Sequence, residues 1–289
     1  MIEKKRIYII VKTYPTISDK YSELVCTAGV LEDGSWIRLY PIPFRKLDFE
    51  QKYKKYSWIQ VEVERNKQDF RPETYRPVNL DNMKVEKLKL SKSSNVSEED
   101  WKQRRDIIFK NKKIYTNLRE IIDKAKSTDF ISLAIFKPTE LIDFVIQSVE
   151  REWDKNKLQH LKELSKQMSL FQTPEEIDKE FKVVQKVPYK FSYKFKDDCG
   201  KISTMMIEDW EIGMLYFNCL QQAEGDEDIA IQKVKEKYWN SFIKRDLYFF
   251  LGTTKKFHNR AKNPFIIIGV FYPPYPKNLP MNGQMKLWE

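Results

Sequence analysis

Two apolar runs, residues 24–31 and 36–42, flank Glu32-Asp33-Gly34. An Asp-Gly pair in that setting closes an antiparallel hairpin, because the tight turn needs left-handed backbone at its centre. Upstream, Ile7-Tyr8-Ile9-Ile10-Val11 reads as a buried strand. Downstream, residues 58–64 alternate, with Ile59, Val61 and Val63 on one face and Gln60, Glu62 and Glu64 on the other, which predicts a half-exposed strand. Short strands in this succession predict a small β-barrel-like unit at the N-terminus.

Ser97 with Glu98, Glu99 and Asp100 behind it marks a helix N-terminus. The expected helix is long, running to about residue 126 with Ile107, Ile108, Ile114, Leu118, Ile121 and Ile122 on its buried side. A strand over 131–136 is expected to close an N-terminal β-rich domain, 1–149, in which residues 139–149 read as helical or mixed. Residues 150–186 form a charged, helix-prone linker interrupted at Gln172-Thr173-Pro174. The C-terminal domain, 187–289, opens with a hairpin in which Tyr189, Phe191, Tyr193 and Phe195 share a face and Asp197-Asp198-Cys199-Gly200 makes the turn. Helices over 210–222 and 226–244, strands over 247–252 and 264–271, and a proline-rich tail follow. The predicted class is α+β: a barrel-like N-terminal domain with a long helix, then a mixed α+β domain.

Glycine supplies 8 of the 289 residues, too few for folds that bring backbone close to phosphate, so a Rossmann or P-loop enzyme is not expected. Three widely spaced cysteines, Cys26, Cys199 and Cys219, fit free thiols in a reducing compartment, and the expected location is the cytoplasm. No apolar run approaches the roughly eighteen residues of a membrane span, so no membrane partner is expected. The formal net charge of +10 favours polyanionic partners, DNA or RNA.

Charge becomes local at Lys255-Lys256-Phe257-His258-Asn259-Arg260-Ala261-Lys262, an acid-free stretch between two apolar strands. The expectation is a loop whose Lys255, Lys256, Arg260 and Lys262 meet phosphates while Phe257 and His258 stack on bases. Lys54 and Lys55, beside Tyr53, Tyr56 and Trp58, form a second candidate nucleic-acid surface.

Gln167-Met168-Ser169-Leu170-Phe171 closely resembles the pentapeptide with which bacterial polymerases and repair proteins dock on the sliding clamp. The resemblance implies that Gln167 hydrogen-bonds at a pocket rim while Met168, Leu170 and Phe171 fill an apolar groove. Gln284-Met285-Lys286-Leu287-Trp288 repeats the pattern, departing from it at Lys286 and Trp288.

For chemistry, Asp209 and Glu211 are the candidate catalytic pair, able to hold Mg²⁺ for phosphodiester hydrolysis. The bland alternative is that they polarise the N-terminus of the following helix. His160 and His258 are the two histidines, and the cysteines lack close-spaced partners, so no structural metal and no resident cofactor are expected. The sequence therefore points to an accessory nucleic-acid-associated protein of replication, repair or defence, recruited by the clamp. A Mg²⁺-dependent nuclease and a non-enzymatic interaction adaptor are the alternatives.

Overall fold

The computed structural model describes residues 1–17, 25–86, 96–168 and 183–276. The class is the expected α+β. Strands β1 (Ile2–Lys12), β2 (Val25–Val30), β3 (Trp36–Ile42), β4 (Trp58–Arg65) and β5 (Thr74–Glu86) close a barrel in the order β1-β2-β3-β5-β4. The β2–β3 hairpin turns at Gly34, whose φ of +88° is the conformation the Asp-Gly signal requires. A short parallel contact of β3 with β5, Arg38 opposite Thr74 and Leu39 opposite Tyr75, completes the closure.

Helix α1 (Glu98–Phe109) begins at a capping box in which Ser97 and Asp100 satisfy each other's backbone N–H groups. The expected long helix stops there. Asn111 takes a left-handed φ of 53°, β6 (Ile114–Tyr115) follows, and a second helix, α2 (Leu118–Lys126), is capped by Asn117. Residues 139–149 also depart from expectation: β8 (Glu140–Ser148) is an edge strand paired with β9 (Tyr189–Lys196), which pairs in turn with β10 (Ile202–Met206). β7 (Leu133–Phe136), expected to close the N-terminal unit, instead pairs with β11 (Tyr248–Thr253) in the sheet β12-β11-β7-β6, where β12 is Phe265–Phe271. Among the described residues the other helices are α3 (Lys155–Met168), α4 (Trp210–Gln222) and α5 (Glu227–Lys235), and α5 widens through a π turn, Glu236–Ser241, before narrowing into a short 3₁₀ turn, Phe242–Lys244.

Strand β1 explains why its apolar run has no polar face. Ile7 and Ile9 join Val25, Ile37, Leu39, Ile59, Val61 and Val63 inside the barrel. Tyr8, Ile10 and Val11 join a second cluster with Trp101 and Ile108 of α1 and Phe250, Ile268 and Phe271 of the second sheet. A bulge between Ile9 and Val11 breaks the strict alternation and leaves Val11 on the outer side. A third, aromatic-rich cluster, including Phe136, Phe191, Tyr193, Phe195 and Phe249, fills the space between the two C-terminal sheets and their helices.

Polar ties cross the same seam. Arg38, 1% exposed, donates from Nη1 to Glu73 Oε1 at 2.9 Å and to Ser132 Oγ at 2.7 Å, and from Nη2 to Ser132 O at 3.1 Å. Arg71 pairs with Asp69 at 2.5 Å and donates to the Thr253 carbonyl at the end of β11. Removing one partner of a buried pair leaves the other charge uncompensated, at a cost of about 3–5 kcal/mol. Arg38→Met is therefore expected to lower unfolding stability in urea by about that much, with part recovered when Glu73→Gln is added. A loss under about 1 kcal/mol would show that the tie contributes little.

Candidate nucleic-acid interface and buried ion-pair centre

The antiparallel pair β11–β12 links two clusters of the candidate residues. Tyr248 opposes Phe271 at one end and Thr253 opposes Phe265 at the other, and a six-residue strand spans roughly 20 Å. Lys55, Asp209 and Glu211 gather at the first end, and residues 255–262 form the loop at the second.

At the first end, Tyr56 turns the chain with a left-handed φ of 64° and donates its N–H to Ile9 O at 2.7 Å. The turn leaves Lys54 exposed and sends the Lys55 side chain, 5% exposed, into the seam. Its ammonium sits 3.2 Å from each of Asp209 Oδ2, Glu211 Oε2 and the Val270 carbonyl. Asp209 is the N-cap of α4, its Oδ1 accepting from the Glu211 N–H at 3.2 Å. Lys12 comes close as well, its ammonium 3.8 Å from the Phe44 ring centre and 4.6 Å from that of Trp210.

Burial raises the Asp209 carboxyl to about 6, against the pull of Lys55 and with Glu211 adding to the rise. Glu211 keeps 44% of its side chain exposed; burial pushes it upward, but Lys55 holds it below the usual carboxylate range. Burial alone would lower Lys55, yet the two carboxylates raise it well above its usual value. Lys12 is lowered to about 8, chiefly by burial, with Glu211 and Asp209 opposing. Asp209 and Glu211, read from the sequence as a candidate Mg²⁺ pair, face a cation of the protein's own. Lys55, expected on a nucleic-acid surface, is buried as their counter-ion, so a cation binding the two carboxylates would have to displace it. The pair caps α4 and joins it to the barrel.

A second acidic group, Asp197, Asp198 and Cys199, lies in the β9–β10 turn. Asp197 Oδ1 there accepts the Cys199 and Lys201 N–H groups at 3.1 and 2.9 Å, which makes it a turn-forming side chain.

At the second end, Lys255, Lys256, Phe257, Arg260 and Lys262 are exposed. His258 is not: it is fully buried. Its Nε2 faces the Ala125 carbonyl at 2.9 Å, which can only accept, so Nε2 carries the proton and Nδ1 accepts from Thr253 Oγ1 at 2.8 Å. Burial lowers its pKa below the ordinary histidine value, keeping the ring neutral. It therefore anchors the loop and is unavailable for base stacking. Two rings that sequence reasoning missed lie over it. Phe70, 45% exposed, meets the imidazole edge-on at 5.3 Å, and Phe130, 39% exposed, stacks at 6.3 Å. Lys126 reaches the same loop, donating to Lys262 O at 3.0 Å. The one sequence hint was a large aromatic in each of two polar turns, Gln68-Asp69-Phe70-Arg71 and Ser127-Thr128-Asp129-Phe130.

In the docking pentapeptide, Gln167 and Met168 end α3; their side chains, like Leu170, Phe171 and residues 284–288, lie outside the described residues.

The buried centre sets a pH dependence. The folded pKa of Asp209, about 6, lies above its unfolded value near 3.8, so the folded chain holds an extra proton between them and this group's contribution to stability falls as pH rises through that window. Lys55→Met removes the cation that touches both carboxylates and raises the folded value further. The variant is expected to lose about 3–5 kcal/mol at pH 7 and to regain more stability than the wild type on moving to pH 5. Adding Asp209→Asn should abolish that excess. Equal pH profiles for wild type and Lys55→Met in chemical denaturation would contradict the assignment.

Comparison with known proteins follows the architecture. Residues 3–110, the barrel with α1, match the family described as Domain of unknown function (DUF8758). Residues 111–288, from β6 onward, match Domain of unknown function (DUF8757). No curated protein matches the chain. The second match covers more than half of the sequence, and the chain belongs to the DUF8757 family.

Proposed function

We propose that this is an intracellular nucleic-acid-associated protein, an accessory factor of replication, repair or defence, that meets its partner through the loop 255–262. The observation that carries the reading is the division of charge around that loop. Lys255, Lys256, Arg260 and Lys262 are exposed, and none of them has a salt bridge to an acidic side chain among the described residues. Lys126 stands beside them, and Lys67 is exposed on the turn that carries Phe70. Asp129, in the turn that carries Phe130, is exposed as well. Free cations on one loop favour phosphate binding through counterion release, whereas a merely solubilising surface would intersperse both signs. The thiols, free among the described residues, support a reducing compartment.

Recruitment by a sliding clamp through residues 167–171 belongs to the same reading. Its support is the motif itself, whose first two residues, Gln167 and Met168, end α3. The nuclease alternative is less favoured, because Lys55 already satisfies Asp209 and Glu211.

Two measurements test this. Affinity for an oligonucleotide should fall as salt rises, and Lys255→Ala with Lys256→Ala should weaken binding and reduce the log–log salt slope by about 1 to 2. No binding at low salt would leave the positive charge merely solubilising and favour an adaptor. Separately, wild-type protein should bind a bacterial sliding clamp in fluorescence anisotropy, and Leu170→Ala with Phe171→Ala should abolish it. Equal binding by the variant would return the peptide to a packing role.

A further inference from the structure

We infer that the surface at this end of β11–β12 takes single-stranded nucleic acid, with Phe70, Phe130 and Phe257 as stacking platforms. The inference rests on the nucleic-acid reading above and goes beyond it, because cations alone attract duplex and single strand alike.

Three segments remote in sequence converge here. Phe70 comes from the turn before β5, Phe130 from the turn after α2, and Phe257 from the β11–β12 loop, and they are 45%, 39% and 49% exposed. Phe70 and Phe130 meet at 6.3 Å, edge to face, and both rest on the His258 imidazole. His258 is held beneath them by Thr253 and Ala125, so the rings sit on a fixed floor. Arg71 and Asp69 brace the Phe70 turn from the inside, and Arg71 ties it to the Thr253 carbonyl. Three large aromatics left partly in water, on segments that also carry the exposed Lys67, Lys126, Lys255, Lys256, Arg260 and Lys262, are what an unpaired strand needs: faces for its bases and charge for its backbone. Paired bases in a duplex are stacked on each other and do not offer those faces.

The backbone gives an independent sign. Phe130 takes a φ of +46°, a region where a bulky side chain is strained and glycine is not. A turn selected for stability alone would favour glycine at this position; here the strained backbone holds a ring at the surface. Such strain persists where surrounding structure over-determines it, and it clusters at binding sites.

The same φ supplies a discriminating variant. Phe130→Gly relieves the strain while removing the ring, so the fold is expected to survive, as judged by an unchanged or nearly unchanged melting temperature. Phe257→Ala is a second, exposed variant. A labelled single strand of about twelve nucleotides and the blunt duplex of the same sequence are titrated with the full chain in fluorescence anisotropy. The expected result is at least about tenfold tighter binding of the single strand, lowered roughly fivefold or more by Phe130→Gly and again by Phe257→Ala. If duplex and single strand bind equally and the ring variants change nothing, the stacking inference is overturned while the nucleic-acid reading stands. If neither binds, both fall together.

Discussion

Strand β1 is wetted on neither face between Ile7 and Val11, and the packing of the whole molecule depends on that. Ile7 and Ile9 belong to the barrel; Tyr8, Ile10 and Val11 belong to the contact with Phe250, Ile268 and Phe271. A five-stranded barrel alone would leave the second set in water, and a β12-β11-β7-β6 sheet alone would leave its own apolar face uncovered. Each fully buried side chain of this size contributes about 1.5–3 kcal/mol relative to exposure. The two units therefore share a core at β1, and α1, through Trp101 and Ile108, covers its edge.

Apolar contact tolerates small slips between two sheets, and buried charge does not. Arg38 with Glu73 and Ser132, Arg71 with Asp69 and the Thr253 carbonyl, and Lys55 with Asp209, Glu211 and the Val270 carbonyl all cross from the barrel side to the second sheet or its neighbours. Desolvating these charges offsets much of their attraction, so they add little net stability over apolar residues of the same shape. What they impose is alignment: each cation reaches its acceptors in one register only, and a shift by one residue would strand several charges in a dry seam. That alignment fixes both ends of β11–β12, including the His258 floor.

The legible parts of the chain were those whose signals are local. The Asp33-Gly34 hairpin, the alternation in β4, the Ser97–Asp100 capping box, the β9–β10 hairpin and the start of α4 all stand where neighbouring residues place them. β8 was not legible: Leu141, Ile142, Val145 and Ile146 fall at helix-like spacing, but only Phe144 is fully buried, as befits an edge strand whose pairing with β9 decides its state. The long helix failed at Asn111, where a left-handed residue breaks an otherwise continuous apolar rhythm. At the sites, the loop 255–262 could be placed from its charge, but the direction of His258 depends on Ala125, 133 residues away. The Lys55 address depends likewise on Asp209, and the meeting of Phe70 with Phe130 on two turns in different units. Side-chain direction at a seam is set by partners that sequence spacing does not reveal.

The two populations of cations then explain how a surplus of +10 is presented. Arg38, Arg71 and Lys55 each face a carboxylate within 3.2 Å and are almost wholly withdrawn from water, so their fields close locally and contribute little outside. The excess must appear at exposed positions, and the loop 255–262 is where several stand together without an acidic partner among the described residues. Salt screens exposed charges over a Debye length of about 8 Å at physiological ionic strength but acts weakly on buried pairs. Salt can thus screen the exposed charges without loosening the inner alignment, so the proposed binding would weaken with salt while the stability of the seam would not.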